Sequence, residues 1–387
     1  MKKIAFSGTL DPITNGHMWV IQEARALADE VVVFISENPF KKPQFSAEKR
    51  KAIVEQSVAA QGWTDVSVIV VKGDYTARVA KRKGIEYLMR GIRNTSDFDY
   101  ENLIQQANVD VLHGAKTIFV MPPRDLGSVS SSFVRGLQGP VGWHFSVKKF
   151  LPTPAYLAWI LEWLRRDWEN LWRYDELAPE CLAKAEHWFA YLVGEKAYGS
   201  PQRHYHSLDH LVHGLSEIAV WASNTNAAEE QVSLLKQAYW FHDAIYHVPH
   251  GATSNEEESA RLFLQSGLAA DDPDGVAQLV RATDHLQTNG IQHPLKAVML
   301  GVDLSILGQS DEVYDAYARG VRLEYCDVPD DVYVERRRHI MLHFQEMARA
   351  GTLYTSAYFA DLYGVAALNN IAREIAVSVR PDPYCSS

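Results

Sequence analysis

Apolar residues follow two different rhythms along this chain. In the first part, short apolar runs alternate with segments in which apolar positions recur every three or four residues, the pattern of strands alternating with helices. Residues 2–6 read as a strand and 18–27 as a helix. Tyr87-Leu88-Met89 reads as another strand end, with a helix after it running to about His113, and 116–121 as a further strand. Strand and helix in alternation predict an open parallel α/β sheet of Rossmann-like type. Beyond about residue 150 the chain reads as amphipathic helices joined by short polar turns, with few β-branched runs, and an all-α region is expected. Gly136, Gly139, Pro140 and Gly142 precede Leu151, and Pro152 and Pro154 follow it, so a boundary is expected near residue 160, giving domains 1–160 and 161–387. Trp159, Trp163, Trp168 and Trp172 sit at helical spacing and read as a core or interface stripe rather than a platform for bases.

Composition narrows the function classes. A length of 387 residues suits two domains. The formal net charge of −10 argues against a nucleic-acid partner, so a small anion in a locally basic pocket is the expected ligand. Cys181, Cys326 and Cys385 are too widely spaced for a disulfide framework or a zinc knuckle. No charged-then-apolar leader precedes the first strand, and no run approaches the roughly 18 apolar residues of a membrane span. A cytoplasmic protein without a membrane partner is expected.

The first chemical signal is Ser7-Gly8-Thr9-Leu10-Asp11-Pro12-Ile13-Thr14-Asn15-Gly16-His17, a glycine-containing turn from strand to helix. Amides at a helix start suit a phosphate, and His17 adds an imidazole able to donate to a phosphoryl oxygen as charge builds there. The plain alternative is a tight turn whose histidine caps the helix. No Gly-Lys-Ser/Thr ending follows, which excludes a kinase-type phosphate loop. Two further segments stand at strand ends: Arg90-Gly91-Ile92-Arg93 with Asp97-Phe98-Asp99-Tyr100-Glu101, and Ser128-Val129-Ser130-Ser131-Ser132-Phe133-Val134-Arg135 opening a short helix.

Together these segments resemble the bacterial phosphopantetheine adenylyltransferase family of the nucleotidylyltransferase superfamily, over residues 1 to about 160. Lys41-Lys42-Pro43, Gly73-Asp74 and Phe150-Leu151-Pro152 match further family segments. The resemblance implies transfer of AMP from ATP to 4′-phosphopantetheine, giving dephospho-coenzyme A and pyrophosphate, with magnesium bridging phosphate oxygens. It implies that Thr9 and His17 contact the α-phosphate, and that Lys41 and Arg90 neutralise the acceptor phosphate. Arg93, Glu101, Ser130, Ser131 and Ser132 then hold ATP, and Asp74 and Asn108 face pantetheine. A homo-oligomer is also implied. Leu10, where the family usually has Phe, and Val109, where an Arg is usual, depart from the pattern at the pocket, as does Arg124-Asp125-Leu126-Gly127. These departures keep open another phosphorylated acceptor, such as a nucleoside monophosphate.

The second signal is Tyr205-His206-Ser207-Leu208-Asp209-His210, then His242-Asp243, then Asp303; twelve of the fifteen histidines lie from His187 onward. On a helix, His206 and His210 would share a face. An adjacent histidine and aspartate can bind one metal, and a later carboxylate completes a two-histidine, two-aspartate set with positions open for water and substrate. The order resembles the HD-domain metal-dependent phosphohydrolase superfamily. That resemblance implies His210, His242, Asp243 and Asp303 as ligands and His206 as general acid. Iron, manganese, cobalt, nickel, zinc and magnesium all suit such donors. His285 and Glu257 are candidates for a substrate or supporting contact, while His213, His247, His250 and His293 read as surface or packing residues. Arg203, His204 and His206 are expected to supply an anion pocket. Small-alarmone hydrolases carry an extra acidic pair after the His-Asp dipeptide, which Ala244-Ile245-Tyr246 lacks. The fold class expected is thus an α/β parallel-sheet (Rossmann-like) nucleotidyltransferase domain followed by an all-α HD domain, a bifunctional enzyme. In the alternative, the HD domain is a non-catalytic regulatory module.

Overall fold

The computed structural model of the protein describes residues 2–37, 42–111, 114–248, 253–285 and 290–377. Lys41, His113, His250 and Cys385 lie outside them. The chain divides into two compact units, residues 1–139 with 143–160, and residues 140–142 with 161–387.

The first unit is built on five parallel strands in the order β3-β2-β1-β4-β5, namely β1 (Lys3–Gly8), β2 (Glu30–Ser36), β3 (Val66–Val71), β4 (Tyr87–Gly91) and β5 (Lys116–Val120). Helices α1 (Asn15–Leu27), α2 (Ala47–Ala60), α3 (Thr76–Arg82) and α4 (Thr95–Gln106) connect them, followed by α5 (Ser131–Gly136) and α6 (Trp143–Lys148). The apolar run in β2 has no alternation because both of its faces are covered, and Val31 to Ile35 are at most 3% exposed. Strand order reverses between β1 and β4. That is where an open sheet leaves a crevice beyond its strand ends, and both the histidine turn and Arg90-Gly91 sit there.

Helix α7 (Thr153–Leu171) begins in the first unit and ends in the second. The second unit continues with α8 (Pro179–Val193), α9 (Leu208–Thr225), α10 (Glu229–Phe241), α11 (Asn255–Ser266), α12 (Pro273–Ala282), α13 (Lys296–Asp303), α14 (Asp311–Glu324), α15 (Asp330–Arg349) and α16 (Ala357–Val377), and it has no strand among the described residues. Of the tryptophan series, Trp168 and Trp172 pack in this unit's core, with Trp168 against Trp240 at 4.9 Å between ring centres, whereas Trp159 packs on Phe45 in the first unit. Gly214 lets α9 and α10 approach closely, since a Cβ there would lie 2.0 Å from the ring of Tyr239. No described helix is long and apolar enough to cross a membrane.

Candidate functional site

In the first unit a cavity of about 680 Å³ opens at the strand-order reversal, lined by Thr9, His17, Lys42, Arg90, Arg93, Glu101 and Ser130 to Ser132. Thr14 caps α1, and the cap is reciprocal. Its Oγ1 accepts from the His17 amide at 3.4 Å, while its own amide donates to His17 Nδ1 at 3.0 Å. The histidine therefore does cap the helix, and the cap has a chemical consequence. With Nδ1 accepting, the neutral ring carries its proton on Nε2. The helix start offers fewer amides to an anion than its sequence suggests, because the Asn15 amide donates to the Phe150 carbonyl at 2.8 Å. Gly16 is needed for close approach: a Cβ there would sit 3.2 Å from the Val129 carbonyl oxygen.

Arg90 is held by Glu101, with Nε to Oε2 at 2.8 Å, and by Ser7 through its carbonyl and its Oγ, the latter at 3.1 Å. Glu101 lines the cavity and braces Arg90 through one carboxylate oxygen. Arg93 forms a two-pronged pair with Asp97 at 2.7 and 3.1 Å. The three serine hydroxyls are also engaged internally. Ser130 caps the Phe133 amide, Ser131 donates to the Pro12 carbonyl, and Ser132 accepts from Arg135. Ser131 thus spends its proton on the Pro12 carbonyl, whereas Ser130 and Ser132 only accept and keep their O–H groups as donors.

Two residues expected at the acceptor are not brought to the cavity. Asp74 is taken up by the Tyr75 amide at 2.7 Å and by Arg78 and Arg82, and those contacts hold its carboxyl below its ordinary pKa. Asn108, 9% exposed, lies in a π-helical turn after α4, and its carbonyl accepts from Gly114. Lys41 lies outside the described residues; its neighbour Lys42 lines the cavity.

Of three supports, Arg50 lies outside every motif, and Asp11 and Arg135 lie inside the motifs without an expected role. Arg50, 2% exposed, donates to the carbonyls of Thr9, Ser36 and Phe45 and so ties the histidine turn to the end of β2. Asp11 accepts from the Gln44 and Phe45 amides, and Arg135 donates to the Asp11 carbonyl.

Residues 5–137 match the family model described as Cytidylyltransferase-like. A phosphopantetheine adenylyltransferase of Chromobacterium violaceum is 38% identical over 156 residues, which is 40% of this chain and 94% of that protein. The chain belongs to the phosphopantetheine adenylyltransferase family. The namesakes in Lacticaseibacillus paracasei (35% identical, 41% of this chain, 92% of that protein) and Neisseria meningitidis serogroup B (31%, 40% and 90%) are similar to it as well. Most of the chain lies beyond those matches, which cover 40 to 41% of it.

The second unit gathers its own cluster. Nε2 of His210 and Nε2 of His242 lie 2.9 Å apart, and Asp243 Oδ2 lies 3.3 and 3.1 Å from them. Asp303 Oδ1 lies 3.5 and 3.4 Å from the same two nitrogens. Ligands about 2.1 Å from one ion stand about 3.0 to 3.4 Å apart at octahedral or tetrahedral angles, so the spacing of His210, His242 and Asp303 fits a single divalent metal, with Asp243 beside the two histidines. His242 Nδ1 donates to the Tyr239 carbonyl at 2.7 Å, which leaves Nε2 with the lone pair a ligand needs. Before a metal binds, burial works against charge on His242, yet Asp243 and Asp303 outweigh it and raise its pKa well above the usual value, so an ion would have to displace the Nε2 proton. Burial likewise opposes ionisation of both aspartates, but the facing histidines hold their pKa values far below the carboxylate range. His285 Nε2 meets the other Asp303 oxygen at 2.8 Å, which makes it a supporting contact. Glu257 is instead tied to Arg261 and Arg281.

His206 is not on a helix with His210, because α9 starts only at Leu208. It is placed by Glu324 at the end of α14. One Glu324 oxygen accepts the amides of His204, Tyr205 and His206 at 2.7 to 2.9 Å, and the other takes His206 Nδ1 at 2.7 Å. Burial opposes the charge on His206, yet Glu324 and Asp243 leave its pKa raised. Arg203 makes no anion pocket, since its guanidinium donates to the carbonyls of His206, Asp243 and Ala244. It clamps the segments that carry His206 and Asp243 together. Of the histidines read as surface or packing residues, His213 is buried at 2% exposure and bonds Ser305 at 2.9 Å. A second cavity of about 1100 Å³, lined by Tyr205, His206, His285 and Asp303, opens beside the cluster.

Proposed function

We propose that the first unit transfers AMP from ATP to 4′-phosphopantetheine, releasing pyrophosphate and forming dephospho-coenzyme A. The observation that carries this reading is His17, whose Nδ1 is occupied by the Thr14 amide so that Nε2–H serves as a donor in the 680 Å³ cavity. Acceptor phosphate oxygen attacks the α-phosphorus in line, and charge grows on its non-bridging oxygens. A donor already fixed stabilises that charge without reorganisation, and Arg90 on its Glu101 brace adds a second. Positioning and electrostatics suffice, so no covalent intermediate is invoked. Both carboxylates lining the cavity, Asp11 and Glu101, are committed to protein partners, and magnesium is therefore read as arriving with the ATP phosphates. Lys41 at the acceptor phosphate, action in the cytoplasm and a homo-oligomeric state rest on the family likeness. The test is pyrophosphate release with ATP and a panel of acceptors. Turnover with 4′-phosphopantetheine supports the reading, and turnover confined to nucleoside monophosphates replaces the acceptor.

We further propose that the second unit is an HD-type phosphohydrolase acting on a phosphoester related to that acceptor or product. The ligands would be His210, His242, Asp243 and Asp303. A bound divalent ion would polarise a phosphoryl oxygen and acidify water. His206, protonated and braced by Glu324, donates a proton to the leaving oxygen. Two sites in one chain raise each other's effective concentration only for a shared compound, which favours a related substrate. Phosphate release from 4′-phosphopantetheine, dephospho-coenzyme A and nucleotides, with manganese or cobalt added, tests this; metal binding without any cleavage would favour a regulatory module.

A further inference from the structure

The cavity of the second unit holds one buried donor that neither proposed step uses. Arg337, on α15, is 8% exposed and lines the same cavity as His206, His285 and Asp303. Its guanidinium is fixed on two sides. Nε and Nη2 donate to the two carboxylate oxygens of Glu374 at 2.7 and 3.2 Å, and Nη2 also donates to the Tyr317 hydroxyl at 3.0 Å. Nη1 has no hydrogen-bond partner among the described residues. A guanidinium carries five donors in a rigid fork, and Nη1 is not among the buried polar atoms that lack a partner, so this end of the fork reaches solvent and stays open to a ligand.

The position of this fork relative to the His-Asp cluster follows from ring contacts. The Tyr205 ring lies 4.9 Å from that of His210, Tyr317 lies 4.6 Å from Tyr205, and the Arg337 guanidinium lies 5.1 Å over Tyr317. Two tyrosine rings therefore separate the unused donor from the cluster. Glu374 neutralises Arg337, and Asp331 and Glu335 stand on the same cavity wall as Arg336 and Arg338, so a broad positive field is not what would recognise a ligand here. Directional N–H groups are, and these suit an oxyanion with in-plane lone pairs.

We propose that this cavity takes a phosphate ester with two oxyanionic ends. The reacting phosphoryl group lies at the His210, His242 and Asp303 cluster, a second phosphate or carboxylate is held by Arg337, and the body between them rests on Tyr205 and Tyr317. The proposal builds on the phosphohydrolase reading by naming its substrate class. Arg337 sets specificity and takes no part in the chemistry.

Binding is the readout. Full-length protein with manganese is titrated calorimetrically with straight-chain α,ω-bisphosphonates, with ω-carboxyalkylphosphonates and with plain alkylphosphonates of matched length. Wild type should bind at least one two-ended series about tenfold tighter than the one-ended series, and which series wins tells phosphate from carboxylate. In Arg337→Lys that preference should vanish while alkylphosphonate affinity stays. Binding to the nucleotidyltransferase unit is common to both proteins and cancels in the comparison. Should Arg337→Lys fail to fold, the double variant Arg337→Gln with Glu374→Gln, which leaves no lone buried charge, is read in the same way. Equal affinity of wild type for one-ended and two-ended probes overturns the proposal, as does a preference that survives both replacements. Failure of the manganese-loaded protein to cleave any phosphoester is a separate result. It would sink hydrolysis without touching the binding comparison.

Discussion

Glu324 and His206 meet through a 2.7 Å contact between Oε2 and Nδ1, although 118 residues separate them, while the other Glu324 oxygen collects three successive backbone amides. One carboxylate thus fixes both the turn carrying the histidine and the orientation of its ring. Replacement by Gln keeps an acceptor at one oxygen and removes the charge. Glu324→Gln should lower kcat for phosphoester cleavage about tenfold to a hundredfold with little change in KM, because a proton donor loses its orientation while substrate contacts remain. Steady-state kinetics on wild type and variant check this, and an unchanged kcat would remove His206 from the reaction.

His17 bears on both catalysis and the start of α1. His17→Ala should reduce pyrophosphate release by about a hundredfold or more. It should also cost roughly 0.5–2 kcal/mol of stability, because the reciprocal cap with Thr14 is lost. Kinetics and denaturant melts measured side by side separate the two effects. Full turnover in a destabilised protein would leave His17 as a cap alone.

Metal content tests the cluster directly. Purified full-length protein should hold close to one transition-metal ion per chain, and Asp243→Ala should remove most of it, since Asp243 Oδ2 lies within 3.3 Å of both ligand histidine nitrogens. Elemental analysis is the measurement. Content that does not respond to the substitution removes Asp243 from the ligand set, and protein that holds no metal at all returns His210, His242 and Asp303 to a packing role.

Glu217 makes stability depend on pH. Burial raises its pKa from 4.5 to about 7, against the Tyr363 hydroxyl that donates to it at 2.6 Å. The folded state therefore favours the protonated form. The stabilisation is complete below pH 4.5 and is lost as pH rises through 7. Glu217→Gln should abolish this slope and, at pH 8, stabilise the protein by up to about 3 kcal/mol, the free energy of a shift of that size. Urea melts of wild type and variant at pH 5 and pH 8 provide the check. Parallel losses of stability in both would assign the slope to other groups.

Local pattern carried much of this protein into view. The period of apolar residues marked β1, β4, β5 and the change to helices after residue 150, because strand and helix faces must match the faces they bury. Thr14 and His17 lie three apart, so the reciprocal cap is a short-range contact written in the chain. Asp303 and the His242-Asp243 pair stood out because few other arrangements put those side chains at helix ends in that order.

What the tertiary structure decided is everything held by partners distant in sequence. Glu324 reaches His206, Arg50 braces the Thr9 carbonyl, Arg203 clamps the carbonyl of Asp243, and His285 supports Asp303. Each is a charged or polar side chain with no periodic signal, and its partner is chosen by which helix or strand end packs beside it. The same cause redirected Asp74, whose carboxylate was captured by Arg82 eight residues on, and the Ser131 hydroxyl, which donates to the Pro12 carbonyl. Residue type and spacing determined which chemistry this chain can hold, through periodicity and short-range bonding. Only packing could settle which groups stay available to a ligand, because a buried polar atom must find a partner and the nearest one is fixed by the fold.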